Sequence, residues 1–178
     1  MQTARRAALL IIDLQNDYFA GGKYPLWNTE QTLANTLDAI AQAHAQNIPV
    51  ILVQHVAADP ASPFFVRDSV GVRIHPQVLA AAPDAPVVVK SHADSFLNTN
   101  LGELLGKLEV NELLIAGMMT QNCVTHTALS RAADPYRVKV LRDCCATVDA
   151  MVHGIALSAL GDKVEMVDRQ AAFETARG

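Results

Sequence analysis

The chain has 178 residues, of which 51% are hydrophobic, 18% charged and 5% aromatic, and its formal net charge is -4. That length and apolar content suit one domain, 1–178, with a sizeable core. The lack of a basic block argues against nucleic acid as a partner, and no apolar run approaches the roughly 18 residues of a membrane span.

The elements follow in chain order. MQTARRAALLIIDLQ opens with two arginines and an apolar run. That run is short, ends in acid and amide side chains and lacks a small-residue cleavage site, so it is read as a strand rather than a signal peptide. The strand is AALLII (7–12), and it stops at Asp13. The spacing of Leu33, Leu37 and Ile40 predicts a helix over 29–46, with Thr29 as N-cap and Glu30 in its first turn. PVILVQHV (49–56) is a second strand, and 57–75 a long loop carrying Phe64 and Phe65. VVVK (87–90) is a third strand, 101–108 a short helix and ELLIAG (112–117) a fourth strand. A helix is expected over 122–133, a strand at RVKVLRD (137–143), a helix over 149–160 and a sixth strand at KVEMV (163–167).

These strands are continuous apolar runs, the pattern of burial on both faces. Alternation with helices predicts an α/β protein: a three-layer, Rossmann-like arrangement of a six-stranded parallel sheet between helices. Ligands of open α/β sheets bind beyond the carboxyl ends of the strands. Asp13 and Lys90 stand at two such ends, and Cys123 lies just past a third.

Together these three suit nucleophilic catalysis. A thiol is a weak nucleophile until ionised, and both a helix N-terminus and a nearby cation lower its pKa. Lys90 would supply the cation, and Asp13 would accept the thiol proton. Main-chain N–H groups around 119–123 would stabilise an oxyanion. Taken singly, each residue has a plainer reading: a loop aspartate, a solvated strand-end lysine and an inert core cysteine.

Three stretches resemble the isochorismatase-like cysteine hydrolases: IIDLQNDY, VVVKSHADSFLNTNL and IAGMMTQNCV. The likeness runs from about residue 7 to 168. It implies a sheet order of 3-2-1-4-5-6 and a catalytic set of Asp13, Lys90 and Cys123. The Lys is followed by the expected Ser95, Phe96 and Thr99. Gly117 stands before the nucleophile loop, and a cis peptide is implied at Met118–Met119. That peptide would turn the Met119 N–H toward the site, to form an oxyanion hole with the Cys123 N–H. Gln15 and Asn16 would brace the turn behind Asp13. In that strand order Lys90 starts two strands away, about 10 Å at 4.8 Å per strand, so a long lysine and an inward bend must close the gap.

The implied activity is cofactor-free hydrolysis of a C–N bond (amide, lactam, carbamoyl or ureido) in a small molecule, by a cytoplasmic homodimer or homotetramer. Three cysteines without framework spacing fit that reducing setting. The metal-binding relatives carry an Asp-x-His motif after the second strand. Here His55, Asp59 and His75 have the wrong spacing, so no metal is expected. The presence of Cys123 also argues against the vinyl-ether chemistry of relatives lacking that cysteine. Tyr18, Phe19, Trp27, His55, Phe65 and Gln121 are candidates for the substrate wall, with loop packing as the alternative. His126, three residues past Cys123, is read as non-catalytic, and Cys144 and Cys145 as structural. Two other functions remain open: a thiol redox protein using Cys123, and a non-catalytic binding protein on the same fold.

Overall fold

The computed structural model describes residues 4–174. Six parallel strands form one sheet, ordered β3-β2-β1-β4-β5-β6. They are β1 (Ala7–Ile12), β2 (Val50–His55), β3 (Val87–Lys90), β4 (Glu112–Met118), β5 (Arg137–Ala146) and β6 (Glu165–Val167). Six helices connect and cover them: α1 (Thr29–Ala45), α2 (Pro76–Ala81), α3 (Leu101–Lys107), α4 (Thr125–Ala128), α5 (Ala150–Leu160) and α6 (Arg169–Glu174).

The central strand explains the layering. All six residues of β1 are buried, and successive side chains point to opposite faces. Ala7, Leu9 and Ile11 pack with Leu33 and Ile40 of α1, Val78 of α2 and Phe173 of α6. Ala8, Leu10 and Ile12 pack with Leu101 and Leu105 of α3, Ala128 of α4 and Leu160 of α5. Each fully buried Leu or Ile contributes about 1.5–3 kcal/mol. Two cores therefore clamp one strand, and both depend on its being apolar throughout.

Several elements differ from the expectations. β3 is buried only at alternate positions, with Val87 and Val89 43% and 51% exposed, because it is an edge strand. α1 begins at Thr29, but its cap is Asn28 in a left-handed conformation with no side-chain cap bond. The helix expected over 122–133 is broken into a wide π-type turn at Thr120–Val124, then α4, then a 3₁₀ turn at Arg131–Ala133. β5 runs on to Ala146 after an irregularity opposite Ile115 and Gly117. That places Cys144 and Cys145 in a buried strand. Helices α2 and α6 carry no strong period; each has only six residues.

The end of β4 is shaped by a close approach. Gly117 lies beside Ile12, has φ of +135°, and a Cβ there would overlap the Ile12 carbonyl. Gly117→Ala is expected to cost about 2–5 kcal/mol from backbone strain and overpacking together. The midpoint of urea unfolding should fall accordingly; an unchanged midpoint would remove this account of the glycine.

Candidate active site

The carboxyl ends of β1 and β3 and the turn after β4 meet around one ammonium group. Lys90 lies opposite His55 on β2, and its side chain reaches past that strand to the end of β1. Its Nζ donates to Asp13 Oδ2 at 2.9 Å, to Cys123 Sγ at 3.2 Å and to the His92 carbonyl at 3.0 Å. It also lies 2.9 Å from His55 Nδ1. The lysine therefore closes the two-strand gap. Four acceptors surround three N–H bonds, so the ammonium is fully committed. Both partners of the Asp13–Lys90 ion pair have side chains 0% exposed.

Asp13 reaches the site through an unusual backbone. It has φ of 55°, a region non-glycine residues rarely occupy. Its N–H still bonds the Val53 carbonyl, and its own carbonyl accepts from the Gln15 N–H. β1 thus ends in a tight reversal that turns the carboxylate across the sheet edge. Behind it, Gln15 makes a single antiparallel bridge with Ile74. Its amide donates to the His55 and Val72 carbonyls and accepts from the His55 N–H. The bracing expected of Gln15 thus has a defined target, the residue beside Lys90. Asn16 instead donates to the Val70 carbonyl.

Cys123 sits in the π-type turn and is 2% exposed. The peptide before this turn, Met118–Met119, is cis. Burial pushes the Cys123 thiol well up from its ordinary range, and Asp13 adds to the rise while Lys90 opposes it. The direction differs from that expected of a thiol beside a helix end and a cation, because burial is the larger cause and the Asp13 carboxylate adds to it. Among the described residues Asp13 Oδ1 is buried with no hydrogen-bond partner, which leaves it open to the thiol proton. Burial disfavours the Lys90 charge, but Asp13 and Cys123 together hold its pKa above the ordinary 10.5.

His55 belongs to the same group. Burial lowers its pKa, Lys90 lowers it further, and Asp13 opposes them. An ammonium only donates, so Nδ1 accepts and the ring proton sits on Nε2. A folded pKa below 6.5 means the neutral ring's contribution is complete above pH 6.5 and lost as pH falls through the folded value. Wild type should lose more stability than His55→Gln between neutral and mildly acidic pH, read from paired urea midpoints; equal losses would refute the assignment.

Around this group lie aromatic rings. Tyr18 is buried, with ring centroids 4.6 Å from Phe65, 5.7 Å from Phe64 and 6.4 Å from Tyr24. Burial and the nearby Asp13 and Cys123 keep its phenol protonated. Phe65 faces His55 at 5.8 Å. Of the expected wall, Tyr18, His55 and Phe65 therefore form one cluster. Phe19 instead packs on His75 at 4.4 Å, and Trp27 on His153 at 5.9 Å. Gln121 accepts from the Thr147 hydroxyl and approaches Met119 Sδ, so it ties the turn that holds Cys123 to the end of β5. His126 bonds the Asn122 carbonyl.

Sequence reasoning missed the His92 carbonyl, Tyr24 and the Thr120–His153 bond of 2.9 Å, none of which has a pattern to betray it. Ser95, expected only as part of a motif, is buried and shares hydrogen bonds with Thr127 at 2.8–3.0 Å. That pair fastens the segment after Lys90 to α4.

Among the described residues, one group of ligand-type side chains converges: Asp13, His55 and Cys123, with donor atoms within 4.8 Å of one another. Lys90 Nζ hydrogen-bonds all three. A metal ion would have to displace a buried ammonium, so the donor set does not fit one. Asp59 and His75 are engaged elsewhere, on Ala61 N and Gln77 N.

The model of the isochorismatase domain matches residues 7–171. YddQ of Bacillus subtilis, an isochorismatase family protein of uncharacterised function, is 36% identical over 82% of this chain and 80% of its own. A streptothricin hydrolase of Streptomyces noursei is 31% identical over 93% of this chain and 63% of its own. A maleamate amidohydrolase of Pseudomonas putida is 28% identical over 97% and 88%. A crystal structure from Oleispira antarctica, of a protein assigned to the isochorismatase hydrolases, superposes with a TM-score of 0.86 at 35% identity, covering 98% of this chain and 99% of that one. With a domain match that spans the whole sheet, this chain belongs to the isochorismatase family.

Proposed function

We propose that the protein is a cysteine-dependent hydrolase of a small-molecule C–N bond, acting through an acyl-enzyme on Cys123. The observation that carries this is Lys90 Nζ bonded at once to Asp13 Oδ2 and Cys123 Sγ, with Asp13 Oδ1 left free. Asp13 Oδ1 takes the thiol proton as Sγ attacks the carbonyl carbon. The oxyanion is held by the N–H of Met119, the residue before the Thr120–Val124 turn, and the N–H of Cys123 within it. Collapse breaks the C–N bond, and the Asp13 carboxylic acid returns its proton to the leaving nitrogen. Water, deprotonated by Asp13, then attacks the thioester and releases the acid, restoring the thiol. Lys90 keeps Asp13 and the sulfur in register and offsets the charge passed between them. Tyr18, His55 and Phe65 line the acyl side.

Amide hydrolysis is what the name of the maleamate amidohydrolase relative describes. The redox alternative needs a resting thiolate, and the upward shift of Cys123 works against it. Free cysteines at 123, 144 and 145 suit a reducing compartment such as the cytoplasm, and among the described residues no helix is long and apolar enough to cross a membrane. A screen of small amides, lactams and ureido compounds should find ammonia or amine release by wild type, with a rapidly quenched acyl adduct on Cys123 by intact mass. Release at the wild-type rate by Cys123→Ser would overturn the covalent route.

A further inference from the structure

The turn that holds Cys123 is fastened at its first residue by a histidine from another element. Thr120 is fully buried, and its Oγ1 lies 2.9 Å from Nδ1 of His153 on α5. Among the described residues His153 is the hydrogen-bond partner of that hydroxyl. A buried O–H must donate somewhere, so Thr120 donates, Nδ1 accepts and the ring proton sits on Nε2.

Thr120 in turn sets the backbone on both sides of the sulfur. Its carbonyl accepts from the Thr125 hydroxyl at 2.6 Å. The Met119 carbonyl before it accepts from the N–H groups of Asn122 and Val124, the two neighbours of Cys123. A second tie closes the circuit. Gln121 accepts from the Thr147 hydroxyl, and the Thr147 carbonyl accepts from the Trp27 N–H. The Trp27 ring then lies 5.9 Å from the His153 ring.

His153 can hold the hydroxyl only as the neutral ring. A protonated ring donates from both nitrogens, and the buried Thr120 O–H is left without an acceptor, a costly state. Partial burial lowers the His153 pKa from 6.5, so the neutral ring's contribution is complete above pH 6.5 and lost as pH falls through the lower folded value. Ionisable groups on the elements packed against α5 are engaged elsewhere. Cys123 accepts from Lys90, His126 of α4 lies on the Asn122 carbonyl, and Glu165 of β6 pairs with Arg137 and Lys139. On the chain just before α5, the Asp149 carboxylate caps the Val152 N–H.

We propose that His153 is a positioning residue for Cys123: its neutral ring latches the Thr120 hydroxyl, and protonation of the ring releases the turn. That the placement of the sulfur matters for turnover rests on the hydrolase reading; the latch itself is tested without any substrate.

Trp27 is the chain's single tryptophan, and a cationic imidazolium beside an indole quenches its emission. The test follows Trp27 emission and alkylation of Cys123 by iodoacetamide, located by peptide mapping, from about pH 4.5 to 8. Cys123 is 2% exposed, so labelling reads opening of the turn. The variants are His153→Gln, which keeps an acceptor that does not titrate, and His153→Leu, which keeps none. Wild-type emission should fall in one step below the ordinary histidine value of 6.5, and His153→Gln should lack that step. The two proteins should label alike at about pH 7.5, and wild type about fivefold or more faster at about pH 5. Their ratio cancels thiol ionisation and the protonation of His55, which are common to both. His153→Leu should label about fivefold or more faster than wild type at about pH 7.5; if circular dichroism shows it unfolded, the wild-type and His153→Gln pair decides alone. An emission step with no change in the labelling ratio would overturn the latch. So would the absence of a His153-dependent step, or a folded His153→Leu that labels at the wild-type rate. Failure of the hydrolase reading would look different: no amide turnover by wild type, with the labelling pattern intact.

Discussion

Cys123→Ala should abolish hydrolysis while leaving the protein folded. Removing a covalent nucleophile costs about 10³–10⁶-fold in turnover. Stability should change far less, and the reason lies in the donor count. Lys90 has three N–H bonds and, without the sulfur, still has Asp13 Oδ2, His55 Nδ1 and the His92 carbonyl within 3.0 Å. No buried donor is orphaned, so the loss should stay near 1 kcal/mol, the scale of one hydrogen bond. Turnover and thermal unfolding measured on the same preparation check both halves. Activity within tenfold of wild type would sink the acyl-enzyme. Lost activity with a large loss of stability would show that the sulfur is part of what holds Lys90 in place.

Much of this site was legible because strand ends are legible. The run AALLII stopping at Asp13 and VVVK stopping at Lys90 mark two points on the same edge of a parallel sheet, and strand order brings them near one another. Cys123 followed from its place after β4. What sequence did not carry was the state of the thiol. Position near a helix start suggested a lowered pKa, but the sulfur sits in a wide turn and is buried against a carboxylate. Burial is a property of everything packed around a residue, and no local pattern records it. The same holds for the wall. Tyr18, Phe19 and Trp27 look equivalent in sequence, yet the 3₁₀ turn at Asn16–Tyr18 sends Tyr18 toward Phe65 and leaves Phe19 against His75. Gln15 was legible as a brace but not its target, since its partners lie 40 and 57 residues away.

Asp13→Asn separates the proton-accepting role of that residue from its electrostatic one, because the two predict opposite signs. As the base, Asp13 is required for turnover, and its loss should slow hydrolysis by about 10²–10⁴-fold. As a buried charge beside the sulfur, it raises the thiol pKa. The amide removes that charge while Lys90 still favours the thiolate, so Cys123 of Asp13→Asn should react with iodoacetamide faster than wild type near neutral pH. Lys90→Met should do the reverse, since the cation that opposes the rise is gone. Position 123 is buried in every case, so the ratio between variants is the quantity to read, with peptide mapping to exclude Cys144 and Cys145. Stability adds a third sign. Breaking a buried ion pair costs about 3–5 kcal/mol, because one charge is left behind. The Lys90 pKa is raised above 10.5 in the fold, so its contribution is complete below pH 10.5 and is lost only as pH climbs through the higher folded value. Asp13→Asn removes the leading cause of that rise, so its alkaline unfolding should begin at lower pH than in wild type. A variant that alkylates more slowly than wild type would mean that Asp13 assists ionisation of the resting thiol, and the picture of a thiol kept protonated until substrate arrives would fall.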